Sequence, residues 1–363
     1  MSLVNQKEGE YAPVPVREGI LKLSAPLTLT FGGRLDTVSV AWRVSGNPQA
    51  PLVAALGGIS AGRAVADVDK TQKGWWGGII GVGKALDLNQ YQVLGIDFLG
   101  GSGTTTGPRP GQVDFPSIST TDQAEILRQV LAHVRQSAIP GKGASTGRIH
   151  PLAAIIGASY GGMVALAFAQ RWPQLVERIV VISAADQPHP LSTAWRSVER
   201  AVVRYATARG DGPEGLRLAR ALAMTTYRSA REFADRFDQP AVRIDGRYQF
   251  PVESYLLARG DAYAANYIPE AFVCLSESID LHRIDASQVR VSTTLVGIVE
   301  DQLVPIADMR RLQQRLGGPV RLVELSSLYG HDAFLKETDA LRQVFAAALN
   351  DNAVALNDND GES

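Results

Sequence analysis

A single cysteine, Cys274, stands in 363 residues, so no disulfide can close within the chain, and a reducing compartment, the cytosol, is the expectation. A surplus of charge is equally missing. The 36 Lys and Arg face 37 Asp and Glu, a formal net charge of −1, which offers no hold for a nucleic acid or an anionic membrane surface. No apolar run approaches the roughly 20 residues that span a bilayer. Residues 1–15 carry Lys7, Glu8 and Glu10 without the apolar centre of a signal peptide. The five histidines (His133, His150, His189, His282 and His331) are scattered, no cluster has metal-ligand spacing, and no internal repeat is visible. What is present, 45% apolar and 20% charged residues, is the balance of a globular chain long enough for one large or two ordinary domains.

Short apolar runs alternate with helical patterns. Leu52 to Leu56, Tyr91 to Phe98, Leu152 to Ile156, Ile179 to Ile182, Thr293 to Val299 and Val320 to Leu325 read as buried strands. Between them Ile126, Leu127, Val130, Leu131 and Val134 recur at helical spacing, with Ser119 or Thr120 as cap, and a last helix is expected from about Ala333 to Leu349. That rhythm predicts an α/β fold with a mainly parallel, doubly wound sheet. Leu27 to Trp42, alternating around Gly32-Gly33, predicts a β-hairpin. Residues 188–285 break the rhythm with helical, Arg-rich segments and read as an inserted lid. The core is then 21–187 and 286–350, with a flexible leader over 1–20 and a polar, disordered tail over 351–363.

One stretch carries chemistry. The strand Leu152 to Ile156 leads into Gly157-Ala158-Ser159-Tyr160-Gly161 and then an Ala-rich helix stopped by Pro173. Strand, Gly-x-Ser-x-Gly, helix is the nucleophile-elbow pattern: the turn is so tight that only glycine fits beside the serine. Ser159 then stands at a helix N-terminus, where free amides stabilise an oxyanion. A nucleophilic serine needs a base and the base an orienting acid, in the chain order Ser, Asp or Glu, His. Asp301, with Glu300 as rival, follows one late strand; His331, with His282 as rival, follows the last in Tyr329-Gly330-His331-Asp332. The Gly-rich loop Gly57-Gly58-Ile59-Ser60-Ala61-Gly62-Arg63 after an early strand suits close backbone approach to a ligand.

Gly74-Trp75-Trp76, Ile80-Gly81-Val82-Gly83-Lys84-Ala85-Leu86-Asp87, Leu99-Gly100-Gly101 with Thr105-Thr106-Gly107-Pro108, Gly215-Leu216-Arg217-Leu218-Ala219-Arg220 and Gly330-His331-Asp332-Ala333-Phe334-Leu335 together resemble the homoserine O-acyltransferase family, in the family's order. The resemblance implies an α/β-hydrolase fold with a helical lid through which two subunits pair. It also implies transfer of an acyl group from acetyl- or succinyl-CoA, a co-substrate with no bound cofactor, to the homoserine hydroxyl on the way to methionine. It assigns Ser159, His331 and Asp301 to the triad, the amides of Tyr160 and Ile59 to the oxyanion, Arg220 to the acceptor carboxylate and Asp332 to its ammonium. The chain departs from the family at Gly57 to Gly62, where His-Ala-Leu-(Ser/Thr)-Gly-Asp is usual, and at Ser102, where cysteine is common. Arg63, four residues after Ile59, is the expected cation for the distal carboxylate of succinyl, favoured over acetyl as donor; serine or another hydroxy amino acid is an alternative acceptor. An esterase and a non-catalytic protein of the same fold are the remaining alternatives.

Overall fold

The computed structural model describes residues 14–69, 71–137 and 149–349. Its main sheet is built from β1 (Val16–Lys22), β2 (Ser39–Gly46), β3 (Leu52–Leu56), β4 (Gln92–Ile96), β5 (Ala154–Ala158), β6 (Arg178–Ile182), β7 (Ser292–Ile298) and β8 (Val320–Leu325), in the order β1-β2-β4-β3-β5-β6-β7-β8. The pairs β1–β2 and β2–β4 are antiparallel and the rest parallel. Strands β3, β4 and β5 are buried at every position because both faces are covered. Leu52, Ala54 and Leu56 face α1 (Thr120–Ser137) and α2 (Tyr160–Arg171), while Val53 and Ala55 face Trp76, Phe334 and the final helix.

Some boundaries move. Residues 16–20 of the expected leader belong to β1, whose Arg17, Glu18 and Lys22 are the polar residues that an outer strand carries. Residues 1–13, and the expected tail 351–363, lie outside the described residues. The Gly32-Gly33 turn joins only Leu27–Thr28 to Arg34–Leu35, and Ser39 onward enters the main sheet. The last helix starts later than expected, as a 3-10 turn at Gly330–Leu335 and then a helix at Thr338–Leu349.

Between β6 and β7 lie α3 (Pro190–Thr207), α4 (Gly212–Tyr227), α5 (Ala230–Phe237), α6 (Pro251–Ala264) and α7 (Pro269–Asp280), so the insertion expected over 188–285 is helical. It also holds a hairpin, Val242–Ile244 with Arg247–Gln249, that the helical reading missed. The signal was present: Asp245 and Gly246 have φ of 51° and 80°, the positive pair that an Asp-Gly turn supplies.

Candidate active site

β5 ends on Ala158 and α2 starts on Tyr160, leaving Ser159 alone to reverse the chain at φ 54°, ψ −122°. A non-glycine residue held there is strained, and the surroundings fix it. The Ser159 N–H donates to Ile182 O at 2.9 Å and Gly161 N–H to Gly57 O at 2.8 Å. A Cβ on Gly157 would run into the Gly161 backbone, and one on Gly161 into the Leu56 carbonyl, so α2 can press on the sheet only because both are glycine. As the first helical residue, Tyr160 has an N–H with no acceptor inside the helix. Its buried hydroxyl shares a 2.7 Å hydrogen bond with Ser278 Oγ and accepts one from Gln123 Nε2 at 3.2 Å, tying the helix start to α1 and α7.

His331 reaches both neighbours. Its Nε2 lies 2.9 Å from Ser159 Oγ and its Nδ1 2.7 Å from Asp301 Oδ2, with His331 and Asp301 both buried. Asp301 Oδ1 accepts from the Leu303 and Val304 amides at 2.8 and 3.0 Å, which aims the other oxygen at His331. Burial pulls the His331 pKa down, the Asp301 carboxylate pulls it up, and the balance lies above the usual 6.5. The two rivals are engaged elsewhere. Glu300 accepts from Ser326 Oγ and the Ser327 amide, while His282 spans Thr120 Oγ1 and Ala185 O, its pKa driven by burial down to about 3.

The loop after β3 is braced from three sides. Trp75 Nε1 donates to Gly62 O at 2.9 Å, and the Tyr267 hydroxyl donates to Ile59 O at 2.9 Å from the lid. Trp76 stacks on Trp75 at 4.9 Å and donates to Phe334 O at 2.7 Å, three residues past His331. The tryptophan pair thus links the Ile59 loop to the histidine loop. Arg63 is placed differently from expectation. Its amide donates to Asp97 Oδ1 at 2.7 Å and its Nη1 to Oδ2 at 2.5 Å, so it binds two loops together and is absent from the cavity at Ser159.

That cavity, about 50 Å³, has Ser159, His331, Ile59 and Tyr227 on its wall, together with three charged groups that sequence reasoning passed over, Arg196, Glu199 and Asp308, the last paired with Arg311 Nη1 at 2.8 Å. Arg196 is held by Asp280 through Nε at 2.8 Å and Nη2 at 2.6 Å, and Arg200 by the other oxygen of Asp280 at 2.6 Å. Burial pushes the Glu199 carboxyl up to about 7, against the pull of Arg196, Arg220 and Arg200. The signal for Arg196 and Glu199 was the sequence of α3 itself, where Arg196, Glu199 and Arg200 share one side and Leu191, Val198 and Tyr205 the other. Arg220 stands behind the wall, 4.8 Å from the ring centres of both Tyr227 and Tyr263, with no ion-pair partner among the described residues. Asp332 is buried against Arg228 Nη2 at 3.2 Å. Among the described residues no group of His, Cys, Asp and Glu is arranged to hold a metal ion.

The sequence pattern of the alpha/beta hydrolase fold matches residues 56–338. A homoserine O-succinyltransferase from Xanthomonas campestris pv. campestris is 38% identical over 93% of this chain and 85% of its own. A serine O-succinyltransferase from Litchfieldella anticariensis is 30% identical over 93% of this chain and 99% of its own. In three dimensions a homoserine O-acetyltransferase from Bacillus anthracis superposes with a TM-score of 0.80 at 20% identity, covering 92% of this chain and 98% of the other.

Proposed function

The chain belongs to the homoserine O-acyltransferases of the α/β-hydrolase family, and from that premise we propose that it carries an acyl group, succinyl in preference to acetyl, from CoA to the hydroxyl of L-homoserine by way of Ser159. The observation that carries the reading is the continuous line Ser159–His331–Asp301 at 2.9 and 2.7 Å beside the helical insertion.

His331 Nε2 takes the Ser159 proton as Oγ attacks the thioester carbon, and Asp301 holds the tautomer and stabilises the imidazolium. The amides of Tyr160 and Ile59 receive the oxyanion, each worth about 3 kcal/mol. The CoA sulfur leaves with the proton from His331. The acceptor hydroxyl then gives its proton to His331, attacks the acyl-enzyme carbon, and returns Ser159 to its protonated state. A cavity of about 50 Å³ favours reactants that enter in turn, the order a ping-pong enzyme uses.

Arg196, not Arg63, is the cation offered to the distal carboxylate of succinyl. It lines the cavity, where Asp280 fixes its guanidinium through Nε and Nη2. An unpaired buried carboxylate costs several kcal/mol, so this choice separates succinyl from acetyl. Arg220 holds the acceptor carboxylate and Asp332 stands on the ammonium side. Serine is the alternative acceptor, favoured by the likeness to the serine enzyme. Mass analysis of products from homoserine and serine, each offered with succinyl- and acetyl-CoA, tests the reading; O-succinylhomoserine should dominate, and a mixture of free acids alone would show an esterase.

Leu191, Val198 and Tyr205 form an exposed apolar stripe on α3 at seven-residue spacing, a surface suited to pairing of two lids into a homodimer in the cytoplasm. Light scattering should then give twice the chain mass, and Val198→Glu should halve it. No described helix is long and apolar enough to cross a membrane.

A further inference from the structure

We propose that Glu199 receives the α-ammonium of the amino-acid acceptor and so sets the enzyme's demand for an amino acid over a plain alcohol; this rests on the acyl-transfer reading above. Glu199 lines the same cavity as Ser159 and His331, and its residue is only 4% exposed. Among the described residues its carboxylate has no hydrogen-bond or ion-pair partner. Its cationic neighbours are otherwise occupied. Arg196 and Arg200 are held in place by Asp280, and Arg220 lies between two tyrosine rings. A largely buried carboxylate on a cavity wall, with arginines near it but no hydrogen-bond donor on it, gains most when a cation arrives that can donate directly.

The acceptor's own charges fit that vacancy. Its carboxylate is drawn to Arg220, and its ammonium lies one carbon away. Asp332 stands on the same side but shares its charge with Arg228 Nη2 at 3.2 Å, which leaves room for a second carboxylate. Glu199 is the buried carboxylate on the wall left without such a partner. Its nearness to Arg220 and Tyr227 places it on the acceptor's side of the cavity. No bond to Glu199 forms or breaks in the reaction; its contribution is to binding.

The test compares L-homoserine with its deamino analogue 4-hydroxybutanoate as acceptors for a preformed acyl-enzyme. In the wild type homoserine should be favoured strongly. Glu199→Gln should lower kcat/KM for homoserine by about 30-fold, the scale of one charge-assisted hydrogen bond, and leave that for 4-hydroxybutanoate unchanged. Glu199→Asp should keep part of the preference. The burst of CoA on mixing with acyl-CoA should persist in both variants, which also reports an intact fold. Equal losses for both acceptors, or a variant with no burst, would overturn the assignment alone. A wild-type acyl-enzyme that passes its acyl group only to water would overturn the transferase reading and this assignment with it.

Discussion

Helix α2, beneath the sheet, buries Tyr160 through Ala169 without a charged residue among them, whereas α3 of the lid buries Ser192, Glu199, Arg200 and Val203 and turns Leu191, Val198 and Tyr205 outward. The first arrangement is what the hydrophobic effect gives a helix against a sheet. The second requires each buried charge to find a partner, and Asp280 supplies one for two of the arginines. On the proposed reading, the core holds the reacting atoms by packing, while the helical insertion surrounds them with charges that sort the substrates. If that division is right, damage to the core should remove the reaction, and damage to the lid should change which molecules react.

Ser159→Ala tests the core side with the largest effect. Loss of a triad serine should lower kcat by about 10³- to 10⁶-fold with the fold intact; normal turnover in the variant would end the covalent mechanism. Trp76→Ala comes next. Its ring is 1% exposed and joins the Ile59 loop to the His331 loop, so its loss should cost about 3–5 kcal/mol in denaturant unfolding and slow both half-reactions together. Selective loss of one donor or one acceptor there would blur the division between core and lid.

On the lid side, Arg196→Ala should reduce kcat/KM for succinyl-CoA by about 30-fold and spare acetyl-CoA. An unchanged preference would send the search for the cation elsewhere. The smallest effect is a pH displacement. His331 must be neutral to take the Ser159 proton, and its pKa is held above 6.5 by Asp301, so activity should fall off on the acid side from above pH 6.5. Removing the carboxylate in Asp301→Asn should move that limb to lower pH in whatever activity remains, and an unmoved limb would mean another group titrates.

The same division explains what the sequence disclosed. Ser159, Asp301 and His331 were legible because strand ends place them, and strands leave a pattern of apolar runs that survives without any neighbour in view. Arg63 was misread because its partner, Asp97, lies 34 residues away on another loop; a cation in a glycine-rich loop says nothing of which carboxylate will claim it. Arg196 and Glu199 were hidden because a charged helix face ordinarily meets water, an arrangement that α3 reverses. The hairpin at Val242–Gln249 carried its Asp245-Gly246 turn openly, but both its strands are exposed, so no buried face marked them.

The most direct measurement is intact-protein and peptide mass spectrometry after mixing the enzyme with succinyl-CoA alone, followed by homoserine. The account predicts a single succinyl group on Ser159 that disappears on adding homoserine as O-succinylhomoserine forms. An unmodified Ser159, or an adduct that homoserine cannot discharge, would contradict it.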